Sequence, residues 1–269
     1  MTPSRPPQGR AARRKAGAAP PSDTAGLRAR LETATLKGAP AEVTDRARKM
    51  LLAYVDTAIA HGQPFKALVA DLRSGLAAVR VGDLALHEQL RAAPDLLDRT
   101  ACQSGCAFCC ILNGKDGGMI TEQEARVLHG ALGVVIGLPD GRGWHPQACP
   151  ALDTETRQCR AYDARPMICR THVSTDADAC RRNAEGEAVP GPGVLGAHVI
   201  YVLAQSLARA ALAGLAKAPS YSLARVAAGA VAGQDIAATL DDARHAPRVL
   251  DDERARFAGS YGRVAKARR

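Results

Sequence analysis

Four of the chain's eight cysteines stand within nine residues, as Cys102-x3-Cys106-x2-Cys109-Cys110, and the others follow as Cys149, Cys159, Cys169 and Cys180. Helix or strand packing does not ask for thiols at that density, whereas a soft metal does. Thiolate is the donor that selects zinc, cuprous copper or iron–sulfur clusters over hard cations. Cysteines two or three residues apart, such as Cys106 and Cys109, can curl around one ion. Cys110 directly follows Cys109, and neighbours in sequence rarely face one centre. The pattern therefore predicts two metal sites or a polynuclear cluster touched from more than one side. All eight cysteines are candidate ligands, with zinc or an iron–sulfur cluster as the expected cofactor.

Disulfides are the weaker reading. A chain of 269 residues needs no staples to fold. Its first residues are basic but carry no apolar run of the kind that directs export. A reducing, cytoplasmic setting is therefore expected, where thiols stay free.

The residues around the thiols each have a chemical and an ordinary reading. Four thiolates around Zn²⁺ or a [4Fe–4S]²⁺ cluster leave a net charge of about −2, so Arg165 and Arg170 are candidates to offset it. Surface ion pairing is the alternative for both. Pro166 is placed to rigidify the turn before Cys169. His145 and His172 lie close enough in sequence to complete a mixed site, although loop histidines are common. Tyr162 reads as part-buried packing, Trp144 as cover for the site, and Cys180 as a ligand with a free buried thiol as its alternative. A cysteine nucleophile activated by His172 or His145 leaves seven cysteines without a role.

The whole series has a resemblance. Cys102-x3-Cys106-x2-Cys109-Cys110, then Cys149-Pro150-x-Leu152, then Cys159-x2-Tyr162-x2-Arg165-Pro166-x2-Cys169-Arg170, and finally Cys180, resembles the YkgJ-type cysteine-cluster family, also called the CxxCxxCC family. The likeness covers about residues 100–185, and departs in its first spacing, x3 in place of x2. It implies a zinc- or iron-chelating domain and names no reaction. The family includes the flagellin lysine methylase, so a protein-modifying lysine methyltransferase is the alternative function it brings. No Gly-rich nucleotide loop following a strand is present to hold S-adenosylmethionine in the ordinary way. Cys102-x3-Cys106-x-Phe108-Cys109 is also similar to the radical S-adenosylmethionine signature. That chemistry is built on a barrel of alternating strands, for which strand-forming runs here are too few.

The elements that must position these thiols read as helices, and the expected fold is mainly α. One domain of about eight helices would carry a loop-rich insert at 99–185. Leu27, Leu31 and Leu36 share a face that Gly38 would end. Pro40 suits the start of a second helix, ended by Gly62. Pro64 opens a third helix carrying Leu68, Leu72, Leu76 and Val79, and a fourth covers about 83–92. Thr121 and Glu124 form a capping box for a helix to about Leu132, with Ala125, Val127, Leu128 and Leu132 as core contacts. Short helical turns are expected near 164–169 and 176–183. A long helix from about Val194 to Lys217 reads as central and buried, with His198, Gln205 and Arg209 as one narrow polar stripe. Helices near 220–231 and 234–243 would finish the domain.

The net charge of +9 suggests nucleic acid until it is located. Residues 1–22 carry +5 and residues 263–269 carry +4, which together equal the whole excess. The interior is formally neutral, and aromatics are only 3% of the chain, so base-stacking platforms are few. Nucleic acid is thus an unexpected partner, no membrane span is expected, and a metal ion is the expected ligand, with a protein partner unidentified. The organisation expected is a disordered basic tail at 1–22, a helical segment at 23–98, the cysteine region at 99–185, C-terminal helices at 194–258 and a second basic tail at 259–269. An adaptor acting through these tails on an anionic partner is the weakest of the functional readings.

Overall fold

The computed structural model describes residues 20–113, 116–191 and 193–267, and the side chains as far as residue 257. Most of the basic segment 1–22 lies outside the described residues, as do the side chains of 263–269.

The first four helices are α1 (Thr24–Thr33), α2 (Ala41–Ala60), α3 (Phe65–Ser74) and α4 (Leu76–Ala92). Asp23 caps α1 by accepting from the Gly26 amide at 2.7 Å. Pro40 and Pro64 stand at the caps of α2 and α3, one residue before each helix begins. Helix α1 ends at Thr33, so Gly38 belongs to a turn beyond it, with φ +76°.

The break between α3 and α4 falls at Gly75, and the expected helix through Leu76 to Val79 is in fact two. Gly75 has φ +85°, a left-handed conformation that halts α3. It also lies under Thr121, whose side chain would stand 2.3 Å from an added Cβ. A helical pattern of apolar residues continues across this joint, which is why periodicity alone runs the two helices together.

The second half comprises α5 (Glu122–Leu132), α6 (Met167–Arg170), α7 (Ala177–Ala184), α8 (Gly196–Ala211), α9 (Leu223–Val231), α10 (Ile236–Ala243) and α11 (Arg248–Ala267). Eleven α-helices among the described residues bear out a mainly α fold. Helix α11 was not foreseen, and its backbone continues through residues expected to be tail. Two short antiparallel ladders complete the fold. Strand β1 (Met119–Thr121) pairs with β4 (Ser220–Ser222), and β2 (His172–Val173) pairs with β3 (Gly193–Val194). These four pieces of two or three residues are the named strands among the described residues, far from a barrel of alternating strands.

Apolar side chains gather in two cores. The first is built on α8, of which thirteen residues are buried, with α1 to α4 and α11 around it. Leu27, Leu51, Leu72, Val81, Leu203, Leu207 and Leu250 are among its members. Helix α4 comes close to α8 at Gly82, where an added Cβ would meet the Tyr201 Cβ at 2.9 Å. On the polar stripe of α8, His198 and Gln205 are buried and Arg209 is partly buried, and the stripe meets α11. The His198 ring packs against Tyr201 and Phe257, and Arg209 pairs with Asp251 at 2.7 Å. The second core joins α5, α9, α10 and the cysteine loops through Ile120, Leu128, Leu132, Leu152, Tyr221 and Val226. Val127, expected to be in the core, is 45% exposed. Its place in the helical face is taken by Glu124, a carboxylate only 6% exposed.

Glu124 fastens the two cores together. The Thr121 amide and hydroxyl each donate to its Oε2 at 2.8 Å, completing the capping box. The Tyr201 hydroxyl on α8 donates to the same oxygen at 2.6 Å, and the Met167 amide donates to Oε1 at 2.8 Å. That amide is one of the free N–H groups at the start of α6, where a negative charge is favourable. Burial, followed by the charge of Glu124, lifts the Tyr201 hydroxyl well above its usual pKa, so Tyr201 stays a donor. Replacing Glu124 by Gln puts an amide N–H₂ among donors. The expected loss is about 2–3 kcal/mol in urea unfolding, against about 1 kcal/mol for Tyr201→Phe, which leaves the other three donors in place.

Candidate metal centre

The cysteine loops are held by a few backbone contacts. The Ala101 amide donates to the Ser174 carbonyl at 2.8 Å, placing Cys102. A tight turn then sets Cys106, whose amide donates to the Gln103 carbonyl at 3.0 Å. Residues Phe108–Cys110 form one 3₁₀ turn. The Cys149 amide donates to the Cys110 carbonyl at 2.8 Å beside an Ile111–Ala148 bridge, so Cys149 lies behind that turn. A Leu152–Cys159 bridge adds Cys159. Its loop is shaped by Asp153, which accepts from the Thr156 amide at 2.8 Å and from Arg160 at 2.7 Å. These bonds, the Thr156 amide foremost, hold the Asp153 carboxyl well below the usual carboxylate range. Pro166 caps α6, which presents Cys169, and Asp176 caps α7, which presents Cys180.

The eight cysteines are free thiols and all eight line one cavity of about 520 Å³. Sequence separations of up to 78 positions have closed to a single chamber. Its apolar floor includes Leu112, Leu128, Leu152 and Ile168 from or against the second core. The Cys109 and Cys110 sulfurs are 4.0 Å apart. Tetrahedral Zn–S bonds of about 2.3 Å set neighbouring sulfurs about 3.8 Å apart, so these two adjacent cysteines can serve one ion. The sulfurs of these sequence neighbours, at the end of the 3₁₀ turn, thus lie within reach of one point. Among the described residues, no group of three or more Cys, His, Asp or Glu side chains stands in a geometry that holds an ion as it is. Gathering four sulfurs around one point therefore takes rotation about the single χ1 of the cysteines, which has three wells.

The thiols are electrostatically unequal. Cys109 is lowered to about 7, chiefly by its hydrogen bond with Cys110 and further by the Arg165 guanidinium. Its partner Cys110 is driven up by that same bond and by burial. Burial pushes Cys149 up to about 12 and raises Cys169 and Cys159, while Arg165 pulls the latter two down. Cys180 is raised by burial and then by the neighbouring Cys106 and Cys102.

Of the flanking candidates, Arg165, Tyr162, Pro166 and His172 line the cavity. Tyr162 is 61% exposed at its edge, not packed inside, and the Arg165 guanidinium stacks 3.5 Å from its ring centre. Arg170 does not line the cavity; it pairs with Asp83 of α4, the ordinary reading. His145 and Trp144 are likewise absent from the lining. Trp144 packs on the second core, and the His145 Nδ1 accepts from the Gln147 amide at 3.2 Å. Arg157 and Gln158, also on the lining, were not foreseen. Arg157 has φ +56° and reaches over Trp144, and a non-glycine left-handed residue leaves no mark in sequence. The run Asp153-Thr-Glu-Thr156 is a readable side-chain turn that went unused.

Residues 101–187 match the model of the CxxCxxCC family, described as a "Putative zinc- or iron-chelating domain". The match covers the cysteine segment, about a third of the chain, and the helices before and after that segment lie outside it. Comparison with curated proteins and with solved structures gave no match. Among the described residues, no helix is long and apolar enough to cross a membrane.

These inequalities make a prediction for the metal-stripped chain. Cys109, exposed and half thiolate near neutral pH, should be alkylated first by iodoacetamide, its rate falling roughly fivefold from pH 7 to pH 6. Cys149 should be labelled last. Peptide mapping by mass spectrometry over time reads the order directly.

Proposed function

We propose that this chain is a metal-binding protein whose cavity holds zinc or an iron–sulfur cluster through the thiolates of Cys102, Cys106, Cys109, Cys110, Cys149, Cys159, Cys169 and Cys180. The observation that carries this reading is the convergence of all eight on one chamber, with no Asp or Glu among the described residues of its lining. Such a donor set fits soft metals and fits magnesium or calcium poorly. An iron–sulfur cluster would supply electron-transfer chemistry, whereas zinc closed by four thiolates would be structural.

Arg165 is the residue that offsets the charge of the thiolates. Its influence on Cys109, Cys159 and Cys169 supports this role. His172 is a candidate fourth donor where a thiol is replaced, and burial lowers its pKa, so it presents neutral imidazole. A reducing compartment such as the cytoplasm suits eight free thiols. No feature of the site favours the lysine methyltransferase alternative.

The test is anaerobic purification followed by metal analysis and an absorption spectrum. Stoichiometric zinc in a colourless protein, or iron with sulfide in a brown one, is the expected result. A chain that carries neither, and takes up neither when supplied, contradicts the reading. Arg165→Ala should weaken zinc binding about two- to fivefold at low salt, with the difference shrinking as salt rises.

A further inference from the structure

The eight thiols stand on two different supports. Cys110, Cys149, Cys159 and Cys169 all belong to the second apolar core, Cys149 as a buried member and the others packed against it. They are joined through backbone: the Cys149 amide donates to the Cys110 carbonyl, and Leu152 bridges to Cys159. Cys102, Cys106 and Cys180 are members of neither core. Their support is the turn before α7. The Ser174 carbonyl accepts from the Ala101 amide and lies 3.8 Å from the Cys102 sulfur. The Ser174 hydroxyl accepts from the Asp176 amide at 3.1 Å, next to the cap of the helix that bears Cys180.

Cys109 sits between these groups. It is in the 3₁₀ turn with Cys110, 4.0 Å from that sulfur, and α7 packs against the same turn. At the extremes of exposure, Cys102 and Cys109 are exposed and Cys149 is buried, with the other five thiols intermediate. The chamber, at about 520 Å³, is far larger than four sulfurs around one ion require.

From this arrangement we infer that the cavity is two four-cysteine metal subsites of unequal access: an inner set of Cys110, Cys149, Cys159 and Cys169, and an outer set of Cys102, Cys106, Cys180 and the boundary residue Cys109, which like the other three belongs to neither core. The inference rests on the metal-binding reading above and deepens it. The inner four are fixed by a folded core and suit a resident ion. The outer four, on a loop, a 3₁₀ turn and helix α7, form the position at which metal is exchanged with solvent or with a carrier.

The test uses the full chain produced in iron-depleted, zinc-supplemented medium and purified anaerobically, with zinc counted by native mass spectrometry. The wild-type chain should hold two zinc ions. The Cys102→Ser/Cys180→Ser variant should hold one, retained through a challenge with a zinc chelator that removes the second ion from the wild type. Cys106→Ser is the independent check on the outer set, and circular dichroism confirms that each variant is folded. Cys109→Ser should likewise lose the outer ion and keep the inner one. Two ions kept by the outer-set variants, or a single ion in the wild type lost from them, overturns the division while leaving the metal centre standing. A wild-type chain holding no zinc overturns the division, and one that takes up neither zinc nor an iron–sulfur cluster overturns the reading beneath it as well.

Discussion

One buried carboxylate decides where the cysteine segment sits. Taking an ionised carboxylate out of water costs several kcal/mol unless donors replace the lost hydration. Glu124 meets four of them: the Thr121 amide and hydroxyl, the Met167 amide and the Tyr201 hydroxyl. Those groups begin α5, begin α6 and lie in the middle of α8. The helix that presents Cys169 is therefore tied to the central helix of the larger core through a single side chain. Gly75 makes room for Thr121, and Gly82 lets α4 approach Tyr201 and Met167, so the joint is closely packed on every side. Loops with little regular structure gain a fixed frame in this way, and the ligands they carry are aimed from rigid supports.

The chamber is unfavourable to ionised thiols by themselves. Burial and the charges of neighbouring sulfurs raise Cys110, Cys149, Cys159, Cys169 and Cys180, and Arg165 opposes the trend at Cys159 and Cys169. A bound cation removes that conflict, because ligands must be deprotonated and the metal charge outweighs their mutual repulsion. Metal binding and ordering of residues 101–187 should thus support one another. The exposed Tyr162, with the Arg165 guanidinium stacked on its ring, stands at the edge of the cavity.

How much of this was legible in the sequence depends on the range of the interaction. Capping is local, so Asp23 at α1 and the Thr121–Glu124 box were readable from spacing alone. That Glu124 also reaches Met167 and Tyr201, 43 and 77 positions away, was not, because no local pattern encodes it. Val127 kept helical spacing but lies on the exposed side, since one residue of rotation separates it from Leu128. Gly75 was passed over because the apolar period continues through it. The ligand candidates were legible by residue type, and the chamber brings all eight together. The division between His172 on the lining and His145 off it depends on the β2–β3 pairing, which two-residue strands do not announce. Arg165 and Arg170 looked alike in sequence; Asp83 on a distant helix separated them.

The claim at the centre of this account is that sulfur from these loops forms the inner shell of a bound metal. An X-ray absorption spectrum of the anaerobically purified chain, taken at the edge of whichever metal it contains, measures that shell. The account predicts sulfur scatterers at about 2.3 Å, four to each ion for zinc, with little or no nitrogen and oxygen. A first shell of oxygen and nitrogen near 2.0–2.1 Å would contradict it.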